Sequence, residues 1–136
     1  MTLIDAGPLV ALLDQRDEHH SLCIDAAQRL RREPVLTTWP CLTEAMYLLH
    51  QAAGHAGVDC LWRFVATGWL ALHDLGAEEV ARMAELMARY HDLPMDLADA
   101  SIVAAAESLG LRQVFTLDSD FRIYKLADGS TLDVIP

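Results

Sequence analysis

Short runs that are apolar on both faces alternate along this chain with longer stretches whose apolar residues recur at helical spacing. Thr2 to Ile4, Val35 to Thr38, Trp69 to Leu72 and Gln113 to Thr116 lack a polar face, and Thr131 to Ile135 offers a fifth such run. Runs of this kind are read as strands buried within a parallel sheet. Helix-period segments lie between them: Leu9 to Leu13, Ser21 to Arg32, Cys41 to Ala53, Ala56 to Ala66, Glu78 to Tyr90 and Leu97 to Leu109. Pro34, Gly54, Gly76, Pro94 and Gly110 punctuate them. The alternation predicts an α/β fold with a parallel sheet of four to five strands, covered by helices on both faces. Sites in such sheets lie outside the carboxyl ends of the strands. With 136 residues, one substantial core and a single domain over 1–136 are expected.

Two stretches are more apolar than a surface helix should be. Leu61, Trp62, Phe64 and Val65, followed by Trp69, spread around more than one face, as do Met46, Tyr47, Leu48 and Leu49. Such helices are buried in the monomer or meet a partner. Residues of the AVILMFWYC set make up 53% of the chain and charged residues 22%, which excludes a disordered chain, a collagen-like repeat and a disulfide miniprotein. Cys23, Cys41 and Cys60 are odd in number and lack a C-x-x-C spacing, so neither a disulfide framework nor a zinc ribbon is indicated. The first five residues have no basic segment and include Asp5, unlike a secretory signal. No apolar run is long enough to cross a bilayer. A cytoplasmic protein with no membrane partner is expected.

Charge narrows the field. Twenty acidic side chains face ten basic ones, a formal net of −10, which excludes nucleic-acid binding through a broad basic surface and permits an acidic site that recruits metal ions. Asp5 closes the first predicted strand, Glu44 falls early in the helix after the second, Asp96 and Asp99 open the helix after Pro94, and Asp118 and Asp120 follow the fourth strand. In a parallel sheet these positions share one edge of the molecule. Each acid also has a local explanation as a helix cap, first-turn acid or turn residue, and both readings stay open. Clustered carboxylates need cations to remain ionised. Hard oxygen ligands select Mg²⁺ or Mn²⁺, and Mg²⁺ prefers a few carboxylates together with phosphate oxygens. That combination suits phosphodiester hydrolysis.

The segments Leu3-Ile4-Asp5-Ala6-Gly7-Pro8-Leu9, Leu42-Thr43-Glu44-Ala45, Asp96-Leu97-Ala98-Asp99-Ala100-Ser101-Ile102-Val103 and Thr116-Leu117-Asp118-Ser119-Asp120-Phe121, taken together and in this order, resemble the PIN domain, and within it the small bacterial VapC-type toxins. The resemblance implies a three-layer α/β/α sandwich and a Mg²⁺-dependent endoribonuclease, with Mn²⁺ as a substitute. It assigns catalysis and metal binding to Asp5, Glu44, Asp99 and Asp118, with Asp96 and Asp120 as accessory acids. Asp5, Asp99 and Asp118 would hold the principal ion and Glu44 would orient the attacking water. Hydrolysis would leave a 5′-phosphate and a 3′-hydroxyl. Thr116 and Arg122, close in sequence to Asp118, are candidate phosphate contacts. Many relatives carry Ser or Thr two residues after the first Asp, where this chain has Gly7, and backbone N–H groups at the helix start could substitute as anion donors there. The implied partners are an RNA substrate, a cognate antitoxin protein and a second copy in a homodimer. The Trp62 to Val65 and Met46 to Leu49 stretches are the candidate groove or seam.

Other chemistry fits less well. No G-x-S-x-G occurs, and the cysteines sit in apolar helical contexts suited to packing. The histidines form no H-E-x-x-H, and His50 and His55 are off a common helical face. A receiver-like phosphoacceptor, with Asp74 after the third strand and Lys125 late in the chain, needs a second acid beside Asp5, where Ala6 stands. The remaining alternative is a PIN-fold binding module with weak or no nuclease activity.

Overall fold

A computed structural model describes residues 1–30 and 32–136. Five strands, β1 (Thr2–Ile4), β2 (Val35–Thr38), β3 (Leu70–His73), β4 (Gln113–Phe115) and β5 (Asp133–Ile135), form one parallel sheet in the order β3-β2-β1-β4-β5. Register pairs Leu3 with Leu36 and Val114, and Ile4 with Phe115. Successive side chains therefore feed opposite cores. Leu3, Leu36 and Val114 face α4 (Ala77–Arg89) and α5 (Leu97–Leu109). Ile4, Val35, Leu70 and Phe115 face α1 (Ala6–Leu13), α2 (His20–Arg29) and α3 (Trp39–Ala66). The expected three-layer α/β/α arrangement is the one observed.

Several boundaries move for local reasons. Helix α1 starts at Ala6 rather than Leu9 because the Asp5 carboxylate caps it and Pro8, in the first turn, has no N–H to satisfy. The two helices expected on either side of Gly54 are both present within α3, separated by a kink at Gly54, whose backbone is non-helical (φ 61°, ψ −148°). Only glycine enters that region at little cost. Strand β3 is shifted by one residue, and β4 stops before Thr116, whose N–H still donates to the Ile135 carbonyl at 3.0 Å. Ser119–Arg122 forms an unpredicted 3-10 turn. Helix α2 ends at Arg29, short of the expected Arg32; Arg31 lies outside the described residues.

Nine consecutive residues of α5, Ala98 to Ala106, are buried. Small side chains at Ala98, Ala100, Ser101, Ala104, Ala105 and Ala106 let this helix lie close against its neighbours on all sides, and its first turn carries Asp99 inward. Among the described residues no helix is long and apolar enough to cross a membrane.

Candidate active site

The chain runs from β1 out through β2 to β3, then crosses back to place β4 on the other side of β1. The carboxyl ends of β1 and β4 thus flank the point where strand order reverses, the usual ligand-binding crevice of an open parallel sheet. Asp5 leaves β1 there. Its Oδ1 accepts from the Ala6 N–H at 2.8 Å and its Oδ2 from the Thr116 hydroxyl at 2.9 Å. The Cys41 thiol lies 3.7 Å from Oδ1. Thr116 is 2% exposed and its hydroxyl also accepts from the Asp118 N–H at 3.1 Å, so one side chain ties the two strand ends together. Both hydroxyl functions are turned to the acids rather than to the outside.

From the other side, Asp96 caps α5 by accepting from the Asp99 N–H at 2.8 Å. Asp99, 8% exposed, accepts at Oδ2 from the Tyr124 hydroxyl at 2.9 Å. Tyr124 is itself buried and packed edge-on against Tyr90 and Phe121. Asp118 caps the 3-10 turn through the Asp120 N–H at 2.9 Å. Glu44 projects from the second turn of α3, solvent-exposed. Capping and convergence coexist: the sheet edge collects helix starts, and the caps are acids.

The carboxylates feel one another. Burial pushes the Asp5 carboxyl up, opposed by its hydrogen bonds to Ala6, Thr116 and Cys41, and the Asp96 charge adds to the rise. Burial first, then the Asp96 charge, pushes Asp99 up to about 7 against the Tyr124 hydrogen bond, with Asp5 and Asp118 adding. Glu44, exposed as a residue, is raised by partial desolvation of its carboxyl and then by the charges of Asp96, Asp5 and Asp118. The Asp120 charge is felt at Tyr124, whose hydroxyl is raised chiefly by burial and by Asp99. None of these six acids forms an ion pair with a cationic side chain among the described residues. Among the described residues every side-chain or backbone donor to the Asp5 and Asp99 carboxylates is neutral.

That donor set fits a hard divalent cation, which would supply the missing positive charge. Among the described residues no three His, Cys, Asp or Glu groups already stand close enough to clasp a bare ion. A Mg²⁺ ion held there would take only one or two carboxylates directly and keep several waters.

The remaining candidates fall around this centre. Arg122 is exposed and shares with Thr116, Asp118 and Ser119 a cleft of about 240 Å³. Lys125 is also exposed, while its N–H donates to the Tyr90 hydroxyl. A Cβ at Gly7 would meet Leu117 at 3.7 Å, an ordinary contact. Asp74 receives the Trp39 indole N–H at 2.7 Å. Tyr124 and Cys41 were not evident as neighbours of the acids. A tyrosine 25 residues from Asp99 and a cysteine 36 from Asp5 carry no local spacing that announces the contact. Burial raises both thiols, Cys23 to about 11 and Cys41 further, with Asp5 adding at Cys41, so they pack rather than react.

Comparison with known proteins places the fold. A family model described as the PIN domain matches residues 2–126. Ribonuclease VapC26 of Mycobacterium tuberculosis is 28% identical over 138 residues, covering 98% of this chain and 99% of the relative. The crystal structure of M. tuberculosis VapC20, a toxin that cleaves the sarcin-ricin loop, superposes with a TM-score of 0.81 at 18% identity and full coverage of both chains (100% each). A chain of the Rickettsia felis VapBC2 complex bound to a DNA fragment from its promoter superposes at 0.71 and 12% identity, covering 99% of this chain and 98% of that one.

Proposed function

Because this chain belongs to the PIN domain family, we propose that its acidic edge is a divalent-metal-dependent endoribonuclease centre and that the protein is the toxin of a type II toxin–antitoxin pair. The observation that carries this reading is the convergence of Asp5, Glu44, Asp99 and Asp118 at the switch point with no cationic side chain paired to them among the described residues. The ribonuclease and toxin names of its relatives support the activity.

Asp5, Asp99 and Asp118 would hold Mg²⁺, or Mn²⁺ in its place. Bound there, the ion supplies an acidified water and offsets charge on the scissile phosphate. The chain's own residues set the geometry. Asp5 is fixed by the Ala6 N–H and Thr116, so Thr116 acts as a positioning residue rather than a phosphate contact. Tyr124 holds Oδ2 of Asp99 and leaves Oδ1 to the site. Glu44 makes no hydrogen bond to the described residues through its side chain, and its raised pKa suits it to receive a proton from water attacking phosphorus in line. Asp96 keeps the first turn of α5 in place, Asp120 closes the turn after Asp118, and Arg122 is positioned to meet a phosphate across the cleft.

A short antitoxin partner is supported by the VapBC2 neighbour, a toxin–antitoxin assembly. Exposed Leu48 and Trp62 on α3 are proposed as the homodimer seam. Purified protein is expected to cleave single-stranded or structured RNA with Mg²⁺ and to stop when the metal is chelated. Asp5→Asn should lose at least about a hundredfold in rate while its circular dichroism is unchanged. Cleavage that persists in chelator, or in the Asp5→Asn/Asp99→Asn double variant, contradicts the proposal.

A further inference from the structure

An open groove of about 640 Å³ runs directly off the acidic edge, and its lining includes Trp39, Pro40, Tyr47 and Leu97 beside Glu44 and Asp96. Trp39 is the first residue of α3 and Tyr47 lies eight positions on, along the same helix face; Leu97 opens α5. These three are 44%, 63% and 52% exposed. The indole does not wave freely. Its N–H donates to Asp74 Oδ1 at 2.7 Å, across from β3, which fixes the ring plane before anything binds and removes much of the ordering cost of a contact.

Among the described residues the lining contains no lysine or arginine, so a phosphate finds no cation to pair with here, and two carboxylates repel one. An occupant must be flat and apolar on its faces yet belong to a molecule whose charged parts reach the metal-binding acids next door. A second copy of the chain fits badly: an isologous contact would bring two Glu44 and two Asp96 face to face with no cation in the lining. A nucleobase meets every condition. Bases stack on aromatic side chains without regard to sequence, and a chain of net charge −10 has few phosphate contacts to rely on.

We propose that Trp39, Tyr47 and Leu97 form a stacking platform for an unpaired base of the RNA adjoining the scissile phosphate. This rests on reading the acids as a ribonuclease centre, and it commits the substrate to a single-stranded or looped segment, since a base held in a duplex cannot present its face.

The test is binding of a fluorescent 2′-O-methyl oligoadenylate in Mg²⁺, its integrity checked on a gel, against an RNA duplex of the same length. Trp39→Ala is expected to weaken oligoadenylate binding about tenfold, the scale of one stacked base, with Trp39→Phe recovering most of the loss. The ratio should not change with salt. Tyr47→Ala, which disturbs no hydrogen bond of the described structure, should weaken binding several-fold, and duplex affinity should be unmoved by either alanine. The platform is overturned if the wild type does not bind the oligoadenylate, if both alanine variants bind it normally, or if duplex affinity falls equally. It is also overturned if Trp39→Ala changes only the oligomeric state or antitoxin binding, which makes the groove a protein interface. A parallel cleavage assay separates the two claims. Cleavage without Trp39-dependent binding leaves the nuclease standing alone, and Trp39-dependent binding without cleavage leaves the platform standing alone.

Discussion

Asp5, Asp96 and Asp118 each cap a helix or turn, and each lends its charge to the same small volume. The acids were legible in the sequence because they stand next to strand ends and helix openings. Their supports were not, because Tyr124 and Cys41 reach them only through tertiary packing. Tyr124→Phe removes the single donor on Asp99 Oδ2, and the Mg²⁺ concentration for half-maximal cleavage should rise about tenfold. An unchanged metal requirement would mean that Tyr124 only fills space. Asp99 also sets a pH signature. Its folded pKa, about 7, exceeds its unfolded value, so its contribution to stability is full below the ordinary carboxylate range and is lost as pH rises toward 7. A divalent ion binds the ionised form. Added Mg²⁺ should therefore raise Tm more at about pH 8 than at about pH 5, as thermal melts can check; equal shifts would separate the ion from Asp99.

At the scale of elements, the strands were readable because each is apolar on both faces and stands clear of its neighbours. The helix starts were harder, since α1 is set by a cap and a proline rather than by periodicity. The break in α3 was readable, because Gly54 stands between two helix-period segments and takes the non-helical backbone at the kink that joins them. Gly57 explains how the two segments of α3 pack across the kink: a Cβ there would stand 2.8 Å from the Leu49 carbonyl oxygen. That oxygen is backbone and cannot turn aside. Gly57→Ala should therefore destabilise the protein by about 1–3 kcal/mol, read as a lower urea midpoint with an unchanged m-value. A neutral substitution would show that α3 can shift there at little cost. The 3-10 turn after Asp118 had no signal beyond alternating acids, yet it fixes Asp118 and feeds Phe121 and Tyr124 into the core.

Across the whole molecule, the net charge of −10 looks at first like an argument against any nucleic acid. Six of its 20 acids, Asp5, Glu44, Asp96, Asp99, Asp118 and Asp120, belong to the proposed centre, so on that proposal part of the excess would be a metal site counted without its ion. With the rest still negative, the proposed RNA substrate would be held by metal bridging and stacking rather than by a cationic surface. The most direct test is cleavage of total RNA by the purified protein with Mg²⁺ and with chelator, beside Asp99→Asn, with the product ends sequenced. The account predicts discrete cuts bearing 5′-phosphates that appear only with wild-type protein and metal. Products that form without metal, that persist in Asp99→Asn, or that carry 2′,3′-cyclic phosphates would contradict it.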